Sequence, residues 1–132
     1  MLKRMMIPVV LLLFTCSACT QGQPINPTHT PSSGIMGSVT EGPMCPGPVQ
    51  IGNNPCPDQA YQATIIVLDS DGHKLTQVQT DTNGFFTLPL DPGKYTLHPE
   101  SGEPFPIAGD QSVVVTEGQY LQVTIQYDTG MR

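Results

Sequence analysis

Apolar and polar residues alternate most regularly between Thr80 and Leu97, TDTNGFFTLPLDPGKYTL. Phe86, Leu88 and Leu90 fall on one face of an extended chain and Phe85, Thr87 and Pro89 on the other, the period of a half-buried strand. Asp81-Thr82-Asn83-Gly84 and Asp91-Pro92-Gly93 read as turns, and Tyr95 and Leu97 resume the alternation. This predicts a strand, a tight corner and a second strand. The same period recurs elsewhere. Ile35, Gly37 and Val39 mark a short opening strand. Ala60 to Thr80 reads as a hairpin turning at Asp69-Ser70-Asp71-Gly72. Its first arm is apolar on both faces, with Ala63, Ile65 and Val67 on one and Ile66 and Leu68 on the other, which suits a central strand. Its second arm, His73 to Thr80, is polar enough for an edge, where Lys74 discourages strand addition. Pro99 to Ala108 is a Pro-interrupted loop with a short edge segment expected at Phe105 to Ile107. Ser112 to Thr116 is a strand. Tyr120 to Tyr127 alternates strictly, with Leu121, Val123, Ile125 and Tyr127 inward, and Asp128 to Arg132 reads as a short tail. No segment after the first twenty residues has helical periodicity. About seven short strands joined by Gly, Pro, Asp and Asn turns predict an all-β sandwich over residues 34–132.

Two stretches break the pattern. Lys3 and Arg4 precede an apolar run, Ile7 to Phe14, which is too short to span a bilayer, and small residues follow it. That order predicts a secretory signal peptide over residues 1–18. The end of the run resembles a bacterial lipobox, in which a small residue precedes a Cys that is lipidated and becomes the first mature residue. Cys19, behind Ser17-Ala18, fits best, although Cys16 rather than Leu stands three residues before it. Cys16 is the alternative, with Leu13 three residues before it but Thr15 directly ahead; a plain secreted protein is the third option. The resemblance implies a membrane anchor, held stably by two or more acyl chains. Residues 19–33, polar and Pro-rich, read as a flexible tether in which His29 is solvated.

The second exception is Thr40 to Gln59. It carries five prolines, three glycines and two cysteines, Cys45 and Cys56, and reads as loop rather than sheet. In an exported chain, a disulfide between them is the simplest reason for so long a structureless stretch in a small domain. Two cysteines with ten residues between them and no His nearby lack the ligand spacing of a tetrahedral metal site.

Charge and composition exclude several partners. The chain has five Lys and Arg against 11 Asp and Glu; Lys3 and Arg4 lie in the leader, which leaves three against 11 and a formal charge of −8. Such a surface disfavours nucleic acid and anionic membrane. With 6% aromatic residues and no Trp, the chain is poor in stacking platforms for sugars or bases. Tyr61 and Tyr120 are the candidates for an aromatic pair in a carbohydrate-binding accessory module.

Several segments together resemble a carboxypeptidase regulatory-like domain: Gly37-Ser38-Val39, Ala63 to Val67, Thr80 to Phe86 and Leu90 to Leu97. The family pattern is a G-x-V opening strand, a T-D-x-x-G-x-F turn and an L-x-P-G-x-Y-x-L corner. The resemblance implies a seven-stranded prealbumin-like, Ig-like sandwich. Within it Gly84 and Gly93 relieve turns, Pro92 fixes the corner, and Phe86 and Tyr95 fill the core. It also implies a non-catalytic accessory module. Together with the leader, the expectation is a structural or interaction domain of the cell envelope, facing outward or into the periplasm, with an unknown protein or glycan partner; a carbohydrate-binding accessory module and a calcium-stabilised adhesin-type domain are the alternatives.

The residues offer little chemistry. His29, His73 and His98 fall in the tether, a turn and a strand end, and none is flanked by a nucleophile motif. Transthyretin-like hydrolases are similar in fold, but their Tyr-Arg-Gly-Ser ending is here Tyr127-Asp128-Thr129-Gly130. Collagen-adhesin B-type domains are similar too, but the Lys and Asn of their isopeptide bond are missing, and Pro99 stands where their assisting Glu belongs. No enzyme activity and no cofactor are expected. Calcium is the one ion considered, on Asp69, Asp71, Asp81 and Asn83, whose spacing opens a calcium loop. The same spacing makes an ordinary hairpin turn, and that reading is preferred. Met36 and Met44 near Cys45 read as packing rather than soft-metal ligands.

Overall fold

The computed structural model describes residues 32–47, 52 and 56–132. The expected signal peptide, Cys16, Cys19 and His29 lie outside the described residues, as does all of the tether but Ser32 and Ser33. Eight strands form: β1 (Gly34–Gly42), β2 (Gln59–Ala60), β3 (Thr64–Leu68), β4 (Lys74–Gln79), β5 (Phe85–Pro89), β6 (Gly93–Pro99), β7 (Gln111–Val115) and β8 (Tyr120–Asp128). Among the described residues there is no helix. One sheet is built on β1, with β5 and β2 antiparallel on one side and β8 parallel on the other. The second sheet has the order β4-β3-β6-β7, antiparallel throughout. Buried residues of both sheets, among them Ile35, Val39, Ile65, Leu97, Val115 and Ile125, form one apolar cluster.

The sandwich has one strand beyond the expected seven, the two-residue β2, paired through Thr40↔Ala60 and Glu41↔Gln59. The expected loop at Thr40 is therefore sheet at both ends. The reason is β8, which runs beside β1 in register as far as Gly42↔Asp128 and keeps its backbone paired past Val39. The domain also starts earlier than expected. Ser33 is buried, its hydroxyl donates to the Leu90 carbonyl at 2.8 Å, and the Leu90 amide donates back to the Ser33 carbonyl at 3.0 Å.

The corner at Asp91 changes meaning in three dimensions. β5 pairs with β1 while β6 pairs with β3 and β7, so the corner carries the chain from one sheet to the other. Phe86 and Leu90 on one side and Leu97 on the other then point into the same core. Tyr95 packs against that core but is not enclosed in it. It is half-buried and folds back over the corner, donating its hydroxyl to the Asp91 carbonyl at 2.7 Å. Burial, with the Asp91 charge adding to it, raises the Tyr95 phenol above its usual range. Gly93 is not a positive-φ turn residue; it is the first residue of β6, and a β-carbon there would lie 3.4 Å from the Tyr95 hydroxyl. Gly84 is a true turn glycine at φ 76°.

The open edges of the first sheet are protected. Both backbone groups of Phe85 bond to Asp81, its amide to the carboxylate and its carbonyl to the amide. Pro89, at the other end of β5, has no amide to offer. On the outer side of β8, the Gln111 side chain donates to the Thr124 carbonyl at 3.0 Å, and Asp128 exchanges both backbone bonds with Ile107. The expected edge segment at Phe105 to Ile107 is thus a single bridge. Residues 128–132 are not a free tail, since the Thr129 amide donates to the Gly42 carbonyl at 3.1 Å and its hydroxyl to the Pro43 carbonyl.

Candidate functional site

β1 runs nine residues from Gly34 to Gly42. At about 3.3 Å per residue it separates two ends of the sandwich by roughly 30 Å. At the entry end, beside Gly34, lie Tyr120, the Asp91 corner and the Asp69 turn. At the far end, beside Gly42, lie Cys45 and Cys56, the 100–107 loop and residues 128–132.

The far end is held together by specific contacts. Cys45 and Cys56 are joined, with their Cα atoms 5.8 Å apart. Asp58 lies against the Cα of Gly42, where any side chain would collide with the carboxylate, and accepts from the Gln126 amide at 2.7 Å. Tyr127 is fully buried, its ring 4.7 Å from that of Tyr61 and its hydroxyl donating to the Glu100 carbonyl at 2.7 Å. Burial, and after it the neighbouring Tyr61 and Glu100, push the Tyr127 phenol up to about 12. Arg132 bonds both carboxylate oxygens of Asp128, at 3.1 and 2.7 Å, and the Gly130 amide bonds one of them. The hydrogen bond from Arg132, then that from Gly130, hold Asp128 down to about 2. An open depression of about 330 Å³ lies over Gly42, Pro43, Gln126, Tyr127, Asp128 and Arg132.

The four residues considered for calcium are not brought together. Asp69 and Asp81 stand in turns at opposite ends of β4, six residues long and so roughly 20 Å apart. Each carboxylate caps its own turn. Asp69 Oδ1 accepts the amides of Asp71 and His73, and Asp81 Oδ1 those of Asn83 and Phe85, all at 2.9 Å. The backbone bond from His73 is the main reason that the Asp69 carboxyl lies below its usual range. His73 joins Asp69 and Asp71 in one exposed group whose ligand atoms lie within 4.8 Å of one another. Tyr61 and Tyr120 are not a pair either. Tyr61 sits near Val39 against Tyr127, whereas Tyr120 pairs with Gly34 on the other side of β1.

Two polar groupings were missed by sequence reasoning. His98 Nδ1 lies 2.6 Å from Asp110 Oδ1 on the outer face of the second sheet, both side chains about half exposed. Twelve residues separate them, and only the β6–β7 pairing joins them. Among the described residues no hydroxyl or thiol bonds to His98, so the pair lacks the nucleophile of a triad. Thr80 is buried, and its hydroxyl accepts the Ala63 amide at 2.9 Å and donates to the Tyr61 carbonyl at 3.1 Å. Its place at the end of a polar edge strand carried no signal of this.

No protein-family model matches the chain, and no curated protein matches it either. Among solved structures, the chain is similar to GBS52, the minor pilin of the Gram-positive pathogen Streptococcus agalactiae, with a TM-score of 0.55 and 13% identity over 76% of this chain and 46% of the pilin. It is similar also to the Bacillus anthracis TIE protein, with a TM-score of 0.45 and 16% identity over 72% of this chain and 17% of that one. The chain thus spans less than half of the pilin's length, and at this identity the likeness is one of fold: the molecule is a β-sandwich of the kind found in a bacterial pilin.

Proposed function

We propose that this protein is an exported, lipid-anchored component of a bacterial cell envelope whose sandwich, of carboxypeptidase regulatory-like descent, serves as a non-catalytic interaction module. The observation that carries the reading is the Cys45–Cys56 bridge at the end of the sandwich opposite the chain's entry. A disulfide belongs to an oxidising compartment. An anchor at Cys19 would hold the entry end towards the membrane and turn the bridged end outwards. The pilin-like fold supports a surface role of the same general kind. A glycan-binding reading has no observation in its favour, because Tyr61 and Tyr120 stand apart.

Two measurements test this. Mass spectrometry of the mature protein is expected to find an acylated N-terminal Cys19; an unmodified N-terminus removes the anchor. A photo-crosslinking amino acid placed in turn at Pro46, Leu75, Phe85, Glu103 and Val114 in intact cells is expected to give a discrete adduct at one site or more. Absence of an adduct at all five positions overturns the interaction reading.

A further inference from the structure

Among the described residues six large apolar side chains are substantially exposed, and three of them lie on adjoining segments at the far end: Phe105 at 45%, Ile107 at 42% and Met131 at 40%. The fold gathers them. Ile107 and Asp128 exchange both backbone hydrogen bonds, which lays 105–107 alongside 128–130. The Phe105 ring lies on Gly130, where a β-carbon would come within 2.6 Å of it. Met131 follows directly. The others, Leu75, Phe85 and Val114, sit singly on separate strands. Clustered exposed apolar side chains with a polar rim mark interaction surfaces, whereas single ones do not.

The rim is one-sided in charge. Glu100 and Glu103 are exposed in the same loop and make no side-chain hydrogen bond or ion pair among the described residues. Asp58, Asp110 and Asp128 stand nearby, each with a partner already. Among the described residues the one Lys or Arg at this end, Arg132, is committed to Asp128. Lys74, first in β4, and Lys94, second in β6, lie at the entry end, too far to offset the carboxylates. The protected edges of β5 and β8 point the same way, since they leave loops rather than strand addition as the means of binding on the first sheet.

We infer that Phe105, Ile107 and Met131, with Glu100 and Glu103 beside them, form a docking surface for a segment of a partner protein that is apolar and flanked by Lys or Arg. Charge complementarity selects this occupant. An anionic membrane or a nucleic acid would be repelled by the same carboxylates. The inference rests on the interaction reading above, and deepens it by naming the face and the partner's chemistry.

The test uses the full-length protein in detergent, labelled with ¹⁵N, and a synthetic helical peptide alternating leucine and lysine faces, with a glutamate-for-lysine peptide as control. The lysine peptide is expected to shift resonances of Gly102 to Ile107 and Thr129 to Met131, and the glutamate peptide to shift none. Ile107→Ser with Met131→Ser is expected to weaken binding at least tenfold, and Glu103→Gln about threefold. Asp71→Asn and Asp91→Asn, at the entry end, leave it unchanged. An unchanged thermal midpoint shows that each variant is folded, and Glu103→Gln, at an exposed position, keeps the test open if the double variant is not. Shifts spread evenly over the acidic surface, equal binding of both peptides, binding insensitive to these variants, or no binding of the lysine peptide each overturn the inference. Crosslinks from Leu75 or Val114 alone would then leave the interaction reading standing without this surface.

Discussion

Single residues decide most where the backbone has no second choice. Gly84 holds φ at 76°, and a β-carbon there would run into the Val39 carbonyl, whereas Gly72 at φ 84° has open space around it. A left-handed φ alone costs an L-residue about 1–2 kcal/mol. Gly72→Ala is therefore expected to lose about 1 kcal/mol and Gly84→Ala clearly more, read as a difference in denaturant midpoint; equal losses would deny the collision. Thr80→Val keeps the shape but strands the Ala63 amide in the interior, at a cost of about 2 kcal/mol. Replacement by Ser, which retains the hydroxyl, should recover most of that. Gly84 was legible in the sequence because Asp-x-Asn-Gly is a turn signal. Thr80 was not, because a threonine reads alike whether its hydroxyl faces water or two backbone groups 17 and 19 residues away.

At the scale of elements, the alternation of Tyr120 to Tyr127 set the facing of β8 correctly, and Val123, Ile125 and Tyr127 are all buried. What the alternation did not contain was its neighbour. β8 lies parallel to β1, the strand most distant from it in the chain. Parallel pairing between the first and last strands is a long-range contact, and no local pattern encodes it. The Cys45–Cys56 bridge closes the far end between β1 and β2. In the chain-entropy view, closing a loop of this size is worth about 3 kcal/mol. Reduction, or Cys45→Ser with Cys56→Ser, should lower the unfolding free energy by about that amount while far-ultraviolet circular dichroism keeps its β signature. Loss of the β signature under native conditions would mean that the bridge holds the sheets themselves.

For the whole molecule, acid and alkali should act on the same end. Asp128 falls to about 2 in the folded chain from 3.8, so its contribution is complete above pH 3.8 and is lost as pH drops through about 2. The 128–132 segment should then release from Gly42 and Pro43, seen as loss of amide protection at Thr129 and Gly130 below about pH 3. Tyr127 works in the other direction. Its phenol is raised from 10.0 to about 12, so folding favours the neutral form, and stability is complete below pH 10 and falls as pH climbs towards 12. Tyr127→Phe should remove that alkaline slope and cost about 1 kcal/mol at neutral pH through the lost bond to Glu100. An alkaline slope unchanged in this variant would assign it to another group.

The sequence by itself determined the class of the fold, every strand but β2, the two tight turns at Gly72 and Gly84, and the cysteine pair. These follow from side-chain period, from glycine's access to positive φ, and from the presence of two cysteines in one proline-rich loop, all of which act within a few residues. Tertiary structure alone decided that β5 and β6 part into different sheets, and that Tyr95 caps a corner while packing against the core only from its margin. It also decided which exposed apolar residues lie on adjoining segments. Phe105 and Met131 read as unrelated loop and tail positions until the Ile107–Asp128 bridge lays their segments together. Burial and pairing between distant segments depend on how two sheets stack, and that is a property of the whole chain's packing rather than of any stretch of it.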